Sequence, residues 1–268
     1  MLPLLGALRL QDVTPRDIRA VILGLERAGQ APSSVRKHLA PVRAMLATAV
    51  EDGLIIANPG SAVRIAGRRE DYEDRERRVL SRVELAAFFG ALPAEWHLFF
   101  ELLLHTGVRI SEAVGLRWED VTLGDQPCVR VRRQVRRGRV KAPKSRYSRR
   151  DIPLSPGMSA ALTARREADG GAGVTGPVFR SVSGGYLDVS HVRSRVLLPT
   201  AARAGIGRIG FHAFRHSCAS LLFAAGKDLK QVQHWLGHHD PAFTLSTYIH
   251  LLDGGLGDAS FLDDLTSG

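Results

Sequence analysis

The sequence has few cysteines, few aromatic residues and no long apolar run, and each scarcity excludes a class of protein. Its two cysteines, Cys128 and Cys218, lie far apart and form no CxxC pair, so a disulfide framework is not expected. No stretch approaches the roughly 20 apolar residues of a membrane span. The N-terminus lacks the basic start and small-residue cleavage site of a signal peptide. We therefore expect a cytoplasmic protein with no membrane partner.

Acidic residues are also scarce relative to basic ones. The 268 residues include 37 Lys and Arg against 27 Asp and Glu, which gives a formal net charge of +10. This excess favours a polyanionic partner, since cations that neutralise phosphates release condensed counterions. A soluble protein that is arginine-rich only because its genome is GC-rich is the alternative. At roughly 150 residues per domain, the length predicts one or two domains.

Apolar periodicity predicts a mainly helical chain. Two helices are expected near the N-terminus, over residues 13–26 and 33–52, and the almost wholly polar residues 64–78 predict a linker. A second domain is expected to open at Ser81, whose spacing from Glu84 is that of a helix capping box. Later helices are predicted over residues 96–105, 190–204, 213–225 and 228–236, with a short one near Ser111.

Between residues 129 and 154, apolar and basic residues partly alternate, which predicts a small antiparallel sheet of two or three strands. From Arg130 to Arg150 about half of the residues are Lys or Arg, and none is acidic. Such a run is ordinarily a solvated face, but the interleaved valines predict a ribbon whose cationic edge can follow a DNA backbone. The expected DNA contacts are Arg130, Arg132, Arg133, Arg136, Arg137, Arg139, Lys141 and Arg146.

Histidines cluster in the last third of the chain. His212 and His216 lie four residues apart, a spacing that suits a metal pair on one helix face. A zinc motif of the HExxH type would need Glu where Ala213 stands, and no Cys or Asp cluster completes a ligand set, so we expect no metal and no other cofactor. His212 and Arg215 can instead converge on one small anion, with Arg as a bidentate fork and His able to move a proton.

Four short segments give this pairing a context. In chain order they are TGVRISE (106–112), PKSRYSRRDIPL (143–154), HAFRHS (212–217), and LGH followed by STYIH (236–250). They resemble the first arginine box, the lysine hairpin, the H-x-x-R box and the C-terminal box of the tyrosine recombinase, or phage integrase, family. The resemblance covers residues 80–255, and residues 13–59 are similar to the end of the helical core-binding domain of that family.

The resemblance implies a nucleophile and two phosphate-binding arginines. Tyr248 would attack phosphorus and form a 3′-phosphotyrosyl link, while Arg109 and Arg215 would hold the non-bridging oxygens. Elementary chemistry agrees, because phosphoryl transfer depends on positioning and on cations around the developing charge. A tyrosine with a free pKa of about 10 also needs such a cationic environment and a nearby base.

The resemblance assigns four supporting roles as well. Lys144 would protonate the leaving 5′-oxygen, with Lys141, Arg146 and Arg149 as near neighbours that make it the least distinctive assignment. His212 would handle the tyrosine proton and His238 would add a hydrogen bond to the phosphate. Glu112 would brace the arginine box.

The implied fold is mainly α with a small antiparallel β-sheet (α+β), an integrase-type catalytic domain preceded by a truncated helical core-binding domain. The expected boundaries are 1–63 for the core-binding domain, 64–78 for the linker, 79–256 for the catalytic domain and 257–268 for a C-terminal tail. The opening helix or two of the core-binding domain and any arm domain are expected to be missing.

The implied function is site-specific recombination that integrates or excises a mobile element. The implied partner is double-stranded DNA, bound by a homotetramer with a dimer at each site, and an accessory DNA-bending protein is a further candidate. Two alternatives stay open from the sequence: a truncated, non-catalytic DNA-binding remnant, and a type IB topoisomerase-like enzyme.

Overall fold

The computed structural model of the chain describes residues 2–65, 78–142 and 148–237. The chain divides into two compact units, Met1–Arg75 and Glu76–Gly268, and each has its own buried core. Most of the predicted linker at 64–78 and all of the predicted tail at 257–268 lie outside the described residues.

The first unit is helical. It contains α1 (Leu2–Leu5), α2 (Pro15–Arg27) and α3 (Pro32–Glu51), so the two helices predicted from periodicity are confirmed to within two residues at each end. Thr14 caps α2: the Asp17 carboxylate accepts from the Thr14 backbone N–H at 2.9 Å, while the Thr14 hydroxyl accepts from the Asp17 backbone N–H. The core of the unit consists of Ile18, Val21, Ile22, Val35, Leu39, Leu46 and Val63.

The second unit contains most of the helices. They are α4 (Arg82–Ala91), α5 (His97–Thr106), α6 (Ile110–Val114), α7 (Pro156–Ala168), α8 (Val189–Val192), α9 (Leu198–Arg203), α10 (His212–Ala224) and α11 (Leu229–Leu236). Ser81 and Glu84 form the predicted capping box of α4. The helix predicted over 190–204 is divided, because a π-helical turn (Arg193–Leu197) joins α8 to α9. Helix α7 was not predicted.

Helix α5 lies at the centre of this unit, as its apolar sequence predicts. Phe99 and Phe100 are buried, and α5 packs against α10. Phe88 of α4 and Phe214 of α10 meet edge to face with ring centroids 5.0 Å apart. The few aromatic residues of the chain are thus concentrated where they fix the position of α10, which begins at His212 and carries Arg215.

The strands form two sheets rather than the one predicted. β1 (Val121–Thr122), β2 (Cys128–Val131) and β5 (Arg150–Pro153) make an antiparallel sheet in the order β1-β2-β5. β3 (Gln134–Arg136) and β4 (Arg139–Lys141) form a separate hairpin. The ladder is interrupted at Arg132 and Arg133, whose side chains bind acidic side chains, and pairing resumes only at Gln134. The mainly helical α+β class itself is confirmed.

Candidate active site and DNA-binding surface

Arg109 of the predicted first box immediately precedes α6, and Glu112 in the first turn of that helix binds it. Its Nη1 donates to Glu112 Oε1 at 2.9 Å, and its backbone N–H donates to Glu112 Oε2, also at 2.9 Å. The Glu112 side chain is only 4% exposed, whereas that of Arg109 is 33% exposed. The predicted bracing of Arg109 by Glu112 therefore corresponds to a direct contact, and the guanidinium still reaches the surface.

Arg215 of the predicted second box lies on α10 and is buried. Its Nη1 donates to the carbonyl oxygen of Gly107 at 2.5 Å, and its Nη2 donates to the carbonyl oxygen of Leu236 at 2.7 Å. Two segments far apart in the sequence thus fix one guanidinium. His212 lies one turn earlier on α10 and is exposed, with its ring 6.4 Å from that of His216.

Three arginines converge on the end of α11. Arg215 donates to Leu236 O, and Arg109 Nη2 donates to the next carbonyl oxygen, that of Gly237, at 3.5 Å. Arg150 Nε donates to the preceding one, that of Trp235, at 2.7 Å. The last carbonyls of a helix lack intrahelical partners and carry the negative end of its dipole, so cations are favoured there. The next residue in the sequence is His238.

Arg150 was not predicted as a site residue. It opens β5, and the exposed fraction of its side chain is 1%. Besides Trp235 O, it donates from Nη2 to Glu112 Oε2 at 3.1 Å and from Nη1 to Ser148 O at 3.0 Å. One sequence signal could have indicated it: in a strand, alternate residues share a face, and Arg150 shares its face with the fully buried Ile152.

The ionisation of Glu112 depends on these arginines. Burial alone raises the pKa of its carboxyl group, but the charges of Arg150, Arg109 and Arg215 and the Arg109 backbone N–H outweigh burial, so the pKa lies below its ordinary value. Burial lowers the pKa of Arg150, and the Glu112 charge opposes that effect. An ionised Glu112 can therefore accept from both guanidinium groups at neutral pH.

Gly107 permits the close packing beneath the arginines. It ends α5 in the left-handed conformation, with φ +60°. A Cβ atom there would lie 2.6 Å from Leu236 Cδ2 and 3.1 Å from Cys218 Sγ. Burial raises the pKa of the Cys218 thiol to about 12, so this cysteine acts as a packed apolar group rather than as a nucleophile.

Three of the predicted catalytic residues lie outside the described residues. Lys144 falls in the segment 143–147, and His238 and Tyr248 fall in 238–268. The predicted DNA contact Arg146 also belongs to the first of these segments. Of the predicted catalytic set, the described structure places Arg109 and Arg215 at the end of α11 and His212 on the helix that carries Arg215, and the predicted supporting residue Glu112 contacts Arg109.

The basic run divides into two groups. Four of its arginines form ion pairs with described residues: Arg130 and Arg132 with Asp151, Arg133 with Glu119 and Asp120, and Arg150 with Glu112. The cations of the β3–β4 hairpin are exposed, and none forms an ion pair with another described residue; they are Arg136, Arg137, Arg139 and Lys141. At the tip, Arg137 and Gly138 both have positive φ, as a type I′ hairpin turn requires. Because β3 packs against α6, the hairpin lies beside the helix that follows Arg109.

Within residues 2–65, 78–142 and 148–237, no group of three or more His, Cys, Asp or Glu side chains is arranged to hold a metal ion. In the same ranges, no helix has both the length and the apolar character needed to cross a bilayer.

Sequence comparison finds a family and its relatives. The profile of the phage integrase family matches residues 76–254. Tyrosine recombinase XerC of Mycobacterium bovis (strain BCG / Pasteur 1173P2) is 30% identical over 248 residues, which cover 90% of this chain and 80% of that protein. XerC of Corynebacterium efficiens is 31% identical over 250 residues, which cover 90% of this chain and 75% of that protein.

Solved structures share the fold. The Tn1549 transposon integrase in complex with a circular intermediate DNA superimposes with a TM-score of 0.75 at 20% identity, covering 98% of this chain and 87% of that one. A lambda integrase dimer bound to a COC′ core site gives a TM-score of 0.69 at 21% identity, covering 93% of this chain and 83% of that one. Likeness at this level of identity establishes the fold.

Proposed function

The chain belongs to the phage integrase family and is a site-specific tyrosine recombinase, and we propose that Tyr248 is its nucleophile, with Arg109 and Arg215 as the phosphate-binding cations. In this reaction the Tyr248 oxygen attacks phosphorus and displaces the 5′-oxygen. A 3′-phosphotyrosyl link forms as one phosphodiester bond breaks. Attack by the released 5′-hydroxyl of another strand reverses these steps and rejoins the DNA, so no external energy source is needed.

The observation that carries this proposal is the meeting of Arg109 and Arg215 at the end of α11. Their N–H groups donate to neighbouring carbonyl oxygens, those of Gly237 and Leu236, so two guanidinium groups from separate elements lie side by side. Fixed cations stabilise the charge on the equatorial oxygens of a transferring phosphoryl group without reorganising during the reaction. Arg109 is partly exposed, so it can reach a DNA phosphate, whereas Arg215 is buried and is assigned to the phosphate from its family box.

The residues that transfer protons are assigned from family membership. We assign removal of the tyrosine proton to His212 and donation of a proton to the leaving 5′-oxygen to Lys144. His238 would donate a hydrogen bond to the phosphate. These assignments rest on the family boxes and not on measured contacts, so each needs its own variant.

The β3–β4 hairpin supplies a DNA-binding surface in this proposal. Its exposed cations can follow the phosphate backbone beside the helix that begins after Arg109. We further propose action on double-stranded DNA in the cytoplasm as a homotetramer with two subunits at each site. The related lambda integrase has been solved both as a dimer on a core site and as a tetramer on a Holliday junction. Neither a non-catalytic remnant nor a topoisomerase is favoured, because the relatives are recombinases.

Cleavage of a nicked suicide substrate tests the proposal, with candidate sites taken from the DNA that flanks the gene. Arg109→Ala and Arg215→Ala should each slow formation of the covalent adduct by about 10²–10³-fold. Arg180→Ala is the matched control, because the Arg180 side chain is 40% exposed and pairs with Asp169 rather than with Glu112 or the end of α11. Near-normal cleavage by either active-site variant would show that the arginines have been assigned wrongly.

A further inference from the structure

Arg150 binds three segments of the chain whose relative positions matter for the proposed function. Its guanidinium donates to Glu112 at 3.1 Å, to the carbonyl oxygen of Ser148 at 3.0 Å and to that of Trp235 at 2.7 Å. Glu112 binds Arg109, Ser148 lies four residues after Lys144, and Trp235 lies three residues before His238. Each of its three nitrogens thus serves a different segment of the chain.

We propose that Arg150 is a positioning residue for DNA cleavage, holding Glu112 and the end of α11 in the arrangement that aims Arg109 at the scissile phosphate. This inference rests on the proposed function, since it assumes that Arg109 binds the phosphate. Arg150 is not itself assigned a contact with DNA, because its Nε, Nη1 and Nη2 all donate within the protein.

The geometry explains why an arginine is needed there. A buried charge is tolerated only when it is paired and its donors are satisfied, and Arg150 is paired with Glu112 and two carbonyl oxygens. A guanidinium presents its donors in a rigid planar fork, whereas lysine offers a compact charge at the end of a flexible chain. Lysine can therefore replace the charge beside Glu112 but cannot make all three bonds in one fixed arrangement.

Loss of Arg150 should reach Arg109 through the Glu112 carboxylate. Its Oε1 accepts from Arg109 Nη1, while Oε2 accepts from both Arg150 and the Arg109 backbone. The charged groups that face this carboxylate are Arg109 beside α6, Arg150 on β5 and Arg215 on α10. Without Arg150, one of the positive charges that offset the effect of burial is lost, and the pKa of the Glu112 carboxyl group rises. A protonated Glu112 holds the guanidinium of Arg109 less firmly, so cleavage should fall as the pH falls.

The experiment compares full-length Arg150→Lys, Arg150→Gln and wild type, with Arg149→Gln as the matched control. Arg149 is the exposed neighbour of Arg150, so its substitution removes the same charge without entering the cluster. Single-turnover cleavage is measured at saturating DNA over a range of pH, together with thermal unfolding. We expect Arg150→Lys to fold, to bind DNA and to cleave at least about tenfold more slowly than wild type, while Arg149→Gln cleaves normally. We expect Arg150→Gln to cleave more slowly still and to lose activity at a higher pH than wild type does.

Three results would overturn the inference. They are a wild-type cleavage rate in Arg150→Lys, a pH profile of Arg150→Gln parallel to that of wild type, and failure of Arg150→Lys to fold, which would make Arg150 a stability residue alone. Failure of wild type and Arg149→Gln to cleave would instead contradict the proposed function, so the two failures are distinguishable.

Discussion

Replacement of Gly107 by alanine should both destabilise the catalytic unit and slow cleavage. The added Cβ would lie 2.6 Å from Leu236 Cδ2, and Leu236 is fully buried, so its side chain has little room to move away. The carbonyl of Gly107 also accepts from Arg215 at 2.5 Å. Any shift of the backbone that relieves the clash therefore moves an acceptor of Arg215.

The free energy of unfolding should fall by about 2–5 kcal/mol. The left-handed conformation of a non-glycine residue costs about 1–2 kcal/mol, and overpacking of a closed core costs about 1–3 kcal/mol. Gly226 separates the two contributions. It has φ +75°, and a Cβ atom there would meet nothing within 4 Å. Gly226→Ala should therefore lose only the conformational part, about 1–2 kcal/mol.

Urea unfolding followed by tryptophan fluorescence measures this difference. All three tryptophans, Trp96, Trp118 and Trp235, belong to the second unit, so the signal reports that unit without interference from the first. Cleavage by both variants is then compared under conditions in which each is folded. Equal destabilisation by Gly107→Ala and Gly226→Ala would refute the packing constraint. An unchanged cleavage rate in Gly107→Ala would show that the Gly107 carbonyl does not position Arg215 for cleavage.

Three further predictions concern charges. The double variant Arg136→Gln/Arg139→Gln should weaken DNA binding and reduce the slope of log affinity against log salt by up to about two; an unchanged slope would exclude the hairpin as a phosphate contact. Arg133→Gln should lower the free energy of unfolding in urea by about 1–3 kcal/mol, because buried Asp120 loses its ion-pair partner. It should leave the salt slope of DNA binding unchanged, and a reduced slope would assign Arg133 to DNA. Because the pKa of Glu112 is lower in the folded state, its ionisation stabilises the fold above the unfolded-state pKa of about 4.3. This stabilisation is lost as pH falls through the folded-state pKa. Stability measured against pH should therefore show a smaller acid loss in Glu112→Gln than in wild type, and parallel curves would argue against this linkage.

Local sequence signals predicted the parts of the fold that depend on neighbouring residues. Ser81 begins a helix where its capping box indicated, the helix expected over residues 13–26 begins after Thr14, and the apolar α5 is buried. The same kind of signal was overlooked at α7, where Ser155 caps the helix and Pro156 occupies its first turn. Of the candidate site, the bracing of Arg109 by Glu112 was implied by the family resemblance, and their three-residue spacing at one helix start is compatible with the contact.

Interactions between distant residues were beyond such signals. Alternation with Ile152 places Arg150 on a buried strand face, but nothing local identifies its partners, since Glu112 and the carbonyl of Trp235 come from distant elements. The same limit applies to Arg133, which was expected on DNA but pairs with Glu119 and Asp120. In a run where about half of the residues are basic, only the tertiary fold separates cations that support the protein from those that face solvent.

Identification of the residue that becomes linked to DNA tests the central claim most directly. Wild type, Tyr248→Phe and the control Tyr186→Phe are incubated with a nicked suicide substrate, and the adducts are digested and mapped by mass spectrometry. The proposed mechanism predicts an adduct in wild type and in Tyr186→Phe, with Tyr248 joined to a 3′-phosphate, and no adduct in Tyr248→Phe although it still binds DNA. An adduct in Tyr248→Phe, or a link mapped to any other residue, would contradict it.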